Sequence, residues 1–479
     1  MVHVSWLIIY VSIGWIIRAA MVPVILRRQF APGAAVAWLL IIFLHPYIGG
    51  TLYMLVGETR LGPHRTDRHR ELMKHYRGAP ELIKKGHDEI RKLAPAYEPM
   101  VLQAEKISDM PVVPGSSVEY IGDSNLMIDR LVADIDAAKG HVHLLYYIFA
   151  PDESGRKVAD ALMRARARGV ACRVLADAVA SRAFFHLTGL AAPLKRAGVE
   201  IAAALPVAPI QRRLPRMDLR NHRKLALIDD VVAYCGSHNL INADYGGRKG
   251  APWVDLSARF TGPVVRELAI VFAEDWAFET DIHLEAPPLA DRPLASEGAL
   301  MQVVPTGPTS AGENYRRVLL AALQCARKRV TLTAPYFVPD DPTLVALQMA
   351  ADRGVDVNLL VPLVVDHFFT GAAGRAHFGR LLGSGVRIFQ YRPGLLHGKT
   401  AVIDESLALI GSANLDVRSF NLNFELTVLI YDREAAGRLA GIHQQYIADS
   451  SPIDPQKWYS RPALVRYGES ALSLLSPLL

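Results

Sequence analysis

Two long apolar stretches fill most of the chain from Met1 to Gly57. Val4 to Leu26 is apolar almost throughout, with Arg18 its only charge, and Ala34 to Val56 carries no acidic or basic residue except His45. Each is close to the ~20 residues that a helix needs to cross a bilayer. Residues 1–57 are therefore expected to form a transmembrane helical hairpin. Pro46, Gly49 and Gly50 also allow the second stretch to be re-entrant or kinked. A signal peptide is the competing reading of the first stretch, but its apolar core is too long for a typical one.

After Gly57 the pattern reverses. Arg60, Arg65, Arg68, Arg70, Lys74 and Arg77 follow in quick succession, against only Arg27 and Arg28 between the two stretches. The positive-inside rule then predicts a multi-pass anchor with the body of the chain in the cytoplasm. Residues 58–108 read as a basic amphipathic neck that can sit on anionic headgroups, each basic residue adding roughly 1 kcal/mol.

From there on, short apolar strands alternate with helical patterns, and the series runs twice. "HVHLLYYIFAPD" from His141, "GVACRVLAD" from Gly169 and "RAGVEI" ending at Ile201 are strand segments of the first series. "RVTLTAPYFVPD" from Arg329, "GVDVNLLVP" from Gly354 and "GSGVRI" ending at Ile388 are those of the second. The step from Gly169 to Gly354 is almost the same length as the step from Gly198 to Gly385. A duplication of one α/β domain is the simplest account, with copies at 109–285 and 301–479 and a Pro/Ala-rich linker at 286–300.

Each copy ends on one signature, H-x-K-x4-D-x6-G-S-x-N. The first holds His222, Lys224, Asp229, Gly236, Ser237 and Asn239; the second holds His397, Lys399, Asp404, Gly411, Ser412 and Asn414. Strand alternation puts His and Lys on one face, about 6–7 Å apart. Asp229-Asp230 and Asp404-Glu405 have turn composition, so the following strand returns Ser and Asn beside His and Lys. This set suits a phosphodiester. Lys, Ser and Asn donors neutralise the non-bridging oxygens, and a histidine attacks phosphorus or moves a proton. Two facing half-sites supply one nucleophile and one acid. Asp229 and Asp404 are counted with the catalytic residues of the signature, but they fall at the far turn, where capping the turn or pairing with a basic residue is expected over a chemical role.

One histidine must be neutral while the other is protonated, although both start near ~6.5. A carboxylate on the second ring nitrogen is the usual means of separating them. Asp255 follows His222, and Glu425 follows His397, at comparable spacing, and these two acids are the candidates.

The net charge of +6 suits an anionic partner without naming it. Cys172, Cys235 and Cys325 are too sparse for a disulfide framework or a zinc cluster, and no carboxylate cluster suggests a metal or other cofactor. A homo-oligomer is compatible with the sequence but not indicated by it.

The duplicated signature resembles that of the phospholipase D superfamily, and more of the chain resembles the bacterial cardiolipin synthases. The likeness includes "HPYIGGTLYMLVG", "YYIF", "GPVV" followed by "DW", "APYFVPD", "GSANLDVRSFNLNFE" and a terminal "SPLL". Leu145 departs from it, standing where that family carries an acid. The resemblance implies two duplicated phospholipase D-like α/β domains with pseudo-twofold symmetry behind a membrane anchor in the bacterial inner membrane. It implies a transphosphatidylation in which two phosphatidylglycerol molecules give cardiolipin and glycerol through a phosphatidyl-histidine. His222 is then the nucleophile and His397 the acid, although the internal symmetry leaves the reverse open. A hydrolase or a transferase to another alcohol uses the same residues. A membrane-tethered nuclease would want a long basic groove with interleaved aromatics, so nucleic acid is not the expected partner.

The copies differ before the histidine. The stretch from Gly198 to His222 is twice as long as its counterpart from Gly385 to His397. The additional segment brings Arg212, Arg213, Arg216 and Arg220, which are expected to grip an anionic headgroup or the membrane surface.

Overall fold

A computed structural model describes residues 2–28, 30, 32–57, 63–77, 87–91, 94–206, 219–245, 252–285, 298–308 and 313–474. Arg60, Arg212, Arg213, Arg216 and linker residues 286–297 lie outside the described residues. The chain divides into two compact units, Met1–Pro63 with Val207–Leu219, and His64–Pro206 with Arg220–Leu479.

In the first unit, α1 (Val2–Arg27) contains 22 residues, Trp6–Arg27, long and apolar enough to cross a membrane. The second apolar stretch is not one helix. It forms α2 (Pro32–Leu44), a break at His45, and α3 (Pro46–Leu52). Proline lacks an N–H and clashes with the carbonyl four residues earlier, which stops α2. Gly49 then packs on the backbone of Ile42, where a Cβ would come within 2.8 Å of its Cα. Thirteen residues rise only about 20 Å, short of the ~30 Å hydrocarbon core. Among the described residues only α1 is a single helix long and apolar enough to cross a membrane, so a multi-pass anchor is not supported, and the second stretch is kinked at His45. Tyr47 of α3 stacks on Tyr10 of α1 at 4.5 Å.

The second unit is built on one sheet of fifteen strands. The first copy supplies β1 (Val112–Ile121), β2 (His141–Tyr146), β3 (Ala171–Asp177), β4 (Glu200–Ala204), β5 (Lys224–Ile228), β6 (Val232–Gly236) and β7 (Ser257–Thr261). The second supplies β8 (Ala299–Thr306), β9 (Arg329–Thr333), β10 (Asp356–Pro362), β11 (Arg387–Tyr391), β12 (Thr400–Ile403), β13 (Leu407–Gly411) and β14 (Glu425–Tyr431), with β15 (Ser450–Pro452) on the outer edge. The first copy runs β1-β7-β6-β5-β2-β3-β4, and the second repeats that order as β8-β14-β13-β12-β9-β10-β11. Antiparallel pairing of β1 with β8 joins them. The duplication read from the sequence is thus a single sheet with internal pseudo-twofold symmetry.

Helices cover the sheet through apolar faces. In Glu153–Ala167 the buried Val158, Ala161, Leu162 and Ala165 recur at helical spacing. Asp123, Asp152, Asp340 and Asp432 each cap a helix by accepting a backbone N–H of its first turn. Helix Val264–Thr280 is buried along nearly its whole length and packs on strands of both copies.

Much of the basic neck is committed to this helix. In α4 (Pro63–Tyr76) and just after it, Arg65 pairs with Glu279 at 2.8 Å, Arg68 with Asp281, and Arg77 with Glu274 at 2.5 Å. The last pair is buried on both sides, and Arg77 also donates to Ser108 O at 2.7 Å. These three arginines satisfy carboxylates rather than forming an open headgroup-binding face.

Candidate active site

The two hairpins form as the alternation predicts. Ile228 pairs with Val232 and Ile403 with Leu407, and the intervening Asp229-Asp230 and Asp404-Glu405 all have φ of 52–53°. Both central residues of each turn are left-handed, the primed geometry that matches strand twist, and Asp tolerates it better than most residues. Asp229 accepts the N–H groups of Lys139, Gly140 and His141 at 2.7–2.8 Å. Asp404 accepts those of Arg327, Lys328 and Arg329 at 2.7–2.9 Å. Partial burial opposes ionisation of Asp229, but the three N–H donors prevail and hold its carboxyl below the usual range. The motif aspartates fix the start of β2 and β9, far from the histidines. Although part of the signature, they are not placed to act on phosphorus.

Gly236 and Gly411 permit close strand approach. A Cβ at Gly236 would lie 2.5 Å from Leu256 O, and one at Gly411 would lie 2.2 Å from Leu426 O. The next residues, Ser237 and Ser412, are fully buried. Ser237 donates to Asp255 at 2.6 Å and Ser412 to Glu425 at 2.5 Å. The expectation that these serines hold phosphate oxygens is corrected, because their hydroxyls are spent on orienting the two carboxylates.

Each carboxylate serves the opposite copy. Glu425 holds Nδ1 of His222 at 3.0 Å, and Asp255 holds Nδ1 of His397 at 2.5 Å. Sequence order pairs each acid with the histidine before it, and the structure crosses them. Backbone register is the cause. His222 N donates to Phe424 O at 2.9 Å, and His397 N donates to Val254 O at 2.8 Å. In both cases the acceptor immediately precedes the carboxylate. Short parallel pairings, Asn221 with Phe424 and Leu395–Leu396 with Trp253–Val254, extend the same seam. With Nδ1 engaged on each ring, Nε2 is the nitrogen left for chemistry.

Lys224 and Lys399 complete the centre. Each Nζ donates to the carbonyl of its own histidine at 2.7 Å. Burial pushes Lys224 down to about 8 against the pull of Glu425 and Asp255. Burial likewise pushes Lys399 down to about 7, with Asp255 opposing and Lys224 assisting. Burial, helped by Lys399 and opposed by Asp255, lowers His397 to about 3. Burial also lowers His222 despite Glu425. Glu425 and Asp255 stay ionised, held below their usual range against burial by the imidazole and lysine beside them.

The histidines share a cavity of about 390 Å³ with Asn239, Asn414 and Arg220. Asn239 accepts Ile148 N–H at 3.1 Å, which fixes its amide. Arg220 is not on a membrane-facing surface; it is buried, pairs with Asp177 at 3.3 Å and donates to Leu205 O.

A family model described as cardiolipin synthase, PLD-like domain, matches residues 131–276 and 319–447. The chain belongs to the cardiolipin synthase family. Cardiolipin synthase A of Erwinia tasmaniensis is 36% identical over 481 residues, covering 99% of this chain and 98% of that relative. Cardiolipin synthase A of Yersinia pseudotuberculosis is 36% identical over 482 residues, covering 99% of each. The crystal structure of phosphatidylserine synthase from Haemophilus influenzae aligns with a TM-score of 0.59, covering 80% of this chain and 100% of that one. Its 15% identity makes this a likeness of fold.

Leu145, the departure from the cardiolipin synthase pattern, is fully buried in β2 and does not line the cavity. Several cavity residues lie outside the motif and were not among its candidates. Tyr147 packs edge-on against His222 at 4.8 Å and Trp253 against His397 at 4.4 Å. Tyr336, Asp366, Asp416 and Arg418 also line the cavity. Tyr147 and Tyr336 sit in the "YYIF" and "APYFVPD" segments that marked the family, which was the available signal. Asp366 had none. Buried Arg223 pairs with Asp275 at 2.5 Å and donates to the carbonyls of Glu425 and Thr306, securing the backbone that carries Glu425.

Proposed function

We propose that this chain is a membrane-bound phosphatidyltransferase that converts two phosphatidylglycerol molecules into cardiolipin and glycerol. The observation that carries this reading is the pair of facing imidazoles, each held by a carboxylate of the opposite copy in one cavity. His222 Nε2 attacks phosphorus, the P–O bond to the glycerol headgroup breaks, and His397 Nε2–H gives its proton to the departing oxygen. A hydroxyl of a second phosphatidylglycerol then loses its proton to His397 and attacks phosphorus, and the bond to His222 breaks. One phosphodiester replaces another, so no nucleotide is consumed.

The choice of His222 as nucleophile is supported by access: its side chain is 13% exposed, against 4% for His397. Lys224, Lys399, Asn239 and Asn414 are assigned to the phosphoryl oxygens, where preorganised donors act most strongly as charge builds. A bound phosphodiester raises the pKa of the nearby imidazoles, which allows one to carry the proton. Arg220 is suited to the second anionic phosphate from the cavity wall. Helix α1 supports membrane attachment, and the excess of basic residues after Gly57 supports a body on the cytoplasmic side of the bacterial inner membrane.

The test is the purified full-length protein in phosphatidylglycerol vesicles with neither nucleotide nor added metal. Equal amounts of cardiolipin and glycerol are expected. Phosphatidic acid as the main lipid product would establish a hydrolase instead, and a covalent lipid adduct on a residue other than His222 would remove it as nucleophile.

A further inference from the structure

The cavity contains a carboxylate that the phosphoryl-transfer scheme does not use. Asp366 lines it together with both histidines. Tyr336 Oη donates to its two oxygens at 2.9 and 3.0 Å, and the His367 N–H donates to it at 2.9 Å. Its side chain is 16% exposed, enough to meet a ligand. The exposed imidazole of His367 reaches it only at 3.5 Å. A carboxylate in a cavity that must hold a phosphodiester weakens binding by like-charge repulsion, and a ligand group that donates to it relieves that cost. An alcohol with free hydroxyls does so.

Asp366 lies on the side where the alcohol must sit. The ring of Tyr336 is 6.4 Å from that of His397, the group assigned to protonate the leaving oxygen and deprotonate the entering one. The leaving and entering alcohols occupy this place in turn. The repeat step that carries Gly169 onto Gly354 sets Asp366 against Ser181 in the first copy. Ser181 is buried and turned inward, donating to Tyr147 O at 2.8 Å. Among the described residues, the position matching Asp366 in the first copy therefore carries no acid, and the nearby Asp177 is buried against Arg220. Asp416, the other acid of the wall, is occupied in capping a helix through Ser419 N at 2.7 Å.

We infer that Asp366, held by Tyr336, accepts hydrogen bonds from the free hydroxyls of the glycerol headgroup and so selects polyols over simple alcohols and water in both half-reactions. The inference rests on the transferase reading above. Its test uses full-length enzyme in phosphatidylglycerol vesicles, with glycerol and ethanol supplied together as competing acceptors, one labelled with carbon-14 and the other with tritium. Each label is followed into lipid. The wild type is expected to favour glycerol. Asp366→Asn should lower the glycerol-to-ethanol ratio about tenfold or more, the scale of one lost charge-assisted hydrogen bond. Tyr336→Phe should lower it less, because the carboxylate remains. A ratio unchanged in Asp366→Asn, with both transfers reduced equally, would overturn the inference and leave Asp366 a prop for Tyr336. A wild type that takes ethanol as readily as glycerol would also overturn it. Transfer to neither alcohol would instead count against the transferase reading itself.

Discussion

Glu425 reaches Nδ1 of His222 from a position 203 residues further along the chain, while Asp255 reaches His397 across 142. Neither half supplies the carboxylate that holds its own motif histidine. Each half-site is assembled only when both copies are folded and joined along the seam beside Phe424 and Val254.

The crossed pairing predicts which step each acid affects. Glu425→Gln should slow formation of the lipid–His222 adduct by about 10²–10⁴-fold, the usual scale for losing an orienting carboxylate or acid–base partner. Asp255→Asn should spare adduct formation from a phosphatidyl ester of p-nitrophenol, whose departure needs no proton, while glycerol release slows. Single-turnover adduct trapping with the two substrates separates the steps. The reverse pattern would mean that His397 is the nucleophile.

Asp229→Ala and Asp404→Ala each leave three backbone N–H groups without their acceptor. Leaving such groups unsatisfied costs about 1–3 kcal/mol apiece when buried, and less at these partly exposed turns. Denaturation midpoints should fall, while turnover per folded molecule drops far less than in His222→Ala. Loss of activity at unchanged stability would return these aspartates to the chemistry.

Arg77→Ala should destabilise the second unit by about 3–5 kcal/mol, because Glu274 is left charged and buried. Lys74→Ala, at an exposed position of α4, should change stability by less than about 0.5 kcal/mol. Urea titration of both variants in detergent tests this. Equal, small effects would restore the neck to a purely membrane-facing role.

Activity and stability should depend on pH in opposite senses. Lys399 and Lys224 titrate near 7 and 8 in the folded chain, against 10.5 for an ordinary lysine. Raising pH through that range discharges the groups that meet the phosphodiester, so kcat/KM should fall. Between those values and 10.5 the unfolded chain binds more protons than the folded one, so stability rises with pH. A pH profile of kcat/KM beside one of the denaturation midpoint checks both signs. Replacing either lysine with methionine should flatten the two curves.

Local chemistry made the hairpins legible. The two-residue period of "KLALI", the Asp-Asp turn and the returning "VAYCG" specify strand, turn and strand within one short segment. Pro46 likewise carried its own warning of a break. The crossed carboxylates could not be read, because they depend on register between segments far apart in the chain. The serines were misassigned for a related reason. A buried hydroxyl beside a carboxylate and one beside a substrate have the same sequence neighbours. Asp366 sits in a loop with no periodicity to mark it, and only the fold brings it to His397.

The β1–β8 pairing joins two similar halves of one polypeptide, and that polypeptide inherits every change singly. In an assembly of identical subunits about a true twofold axis, an acid at the place of Asp366 would enter twice and confront its own image across a site meant for anions. Joined in one polypeptide, one half is free to become the alcohol side while the other keeps a neutral serine. Covalent continuity is thus what lets a nearly symmetric frame treat its two histidines unequally.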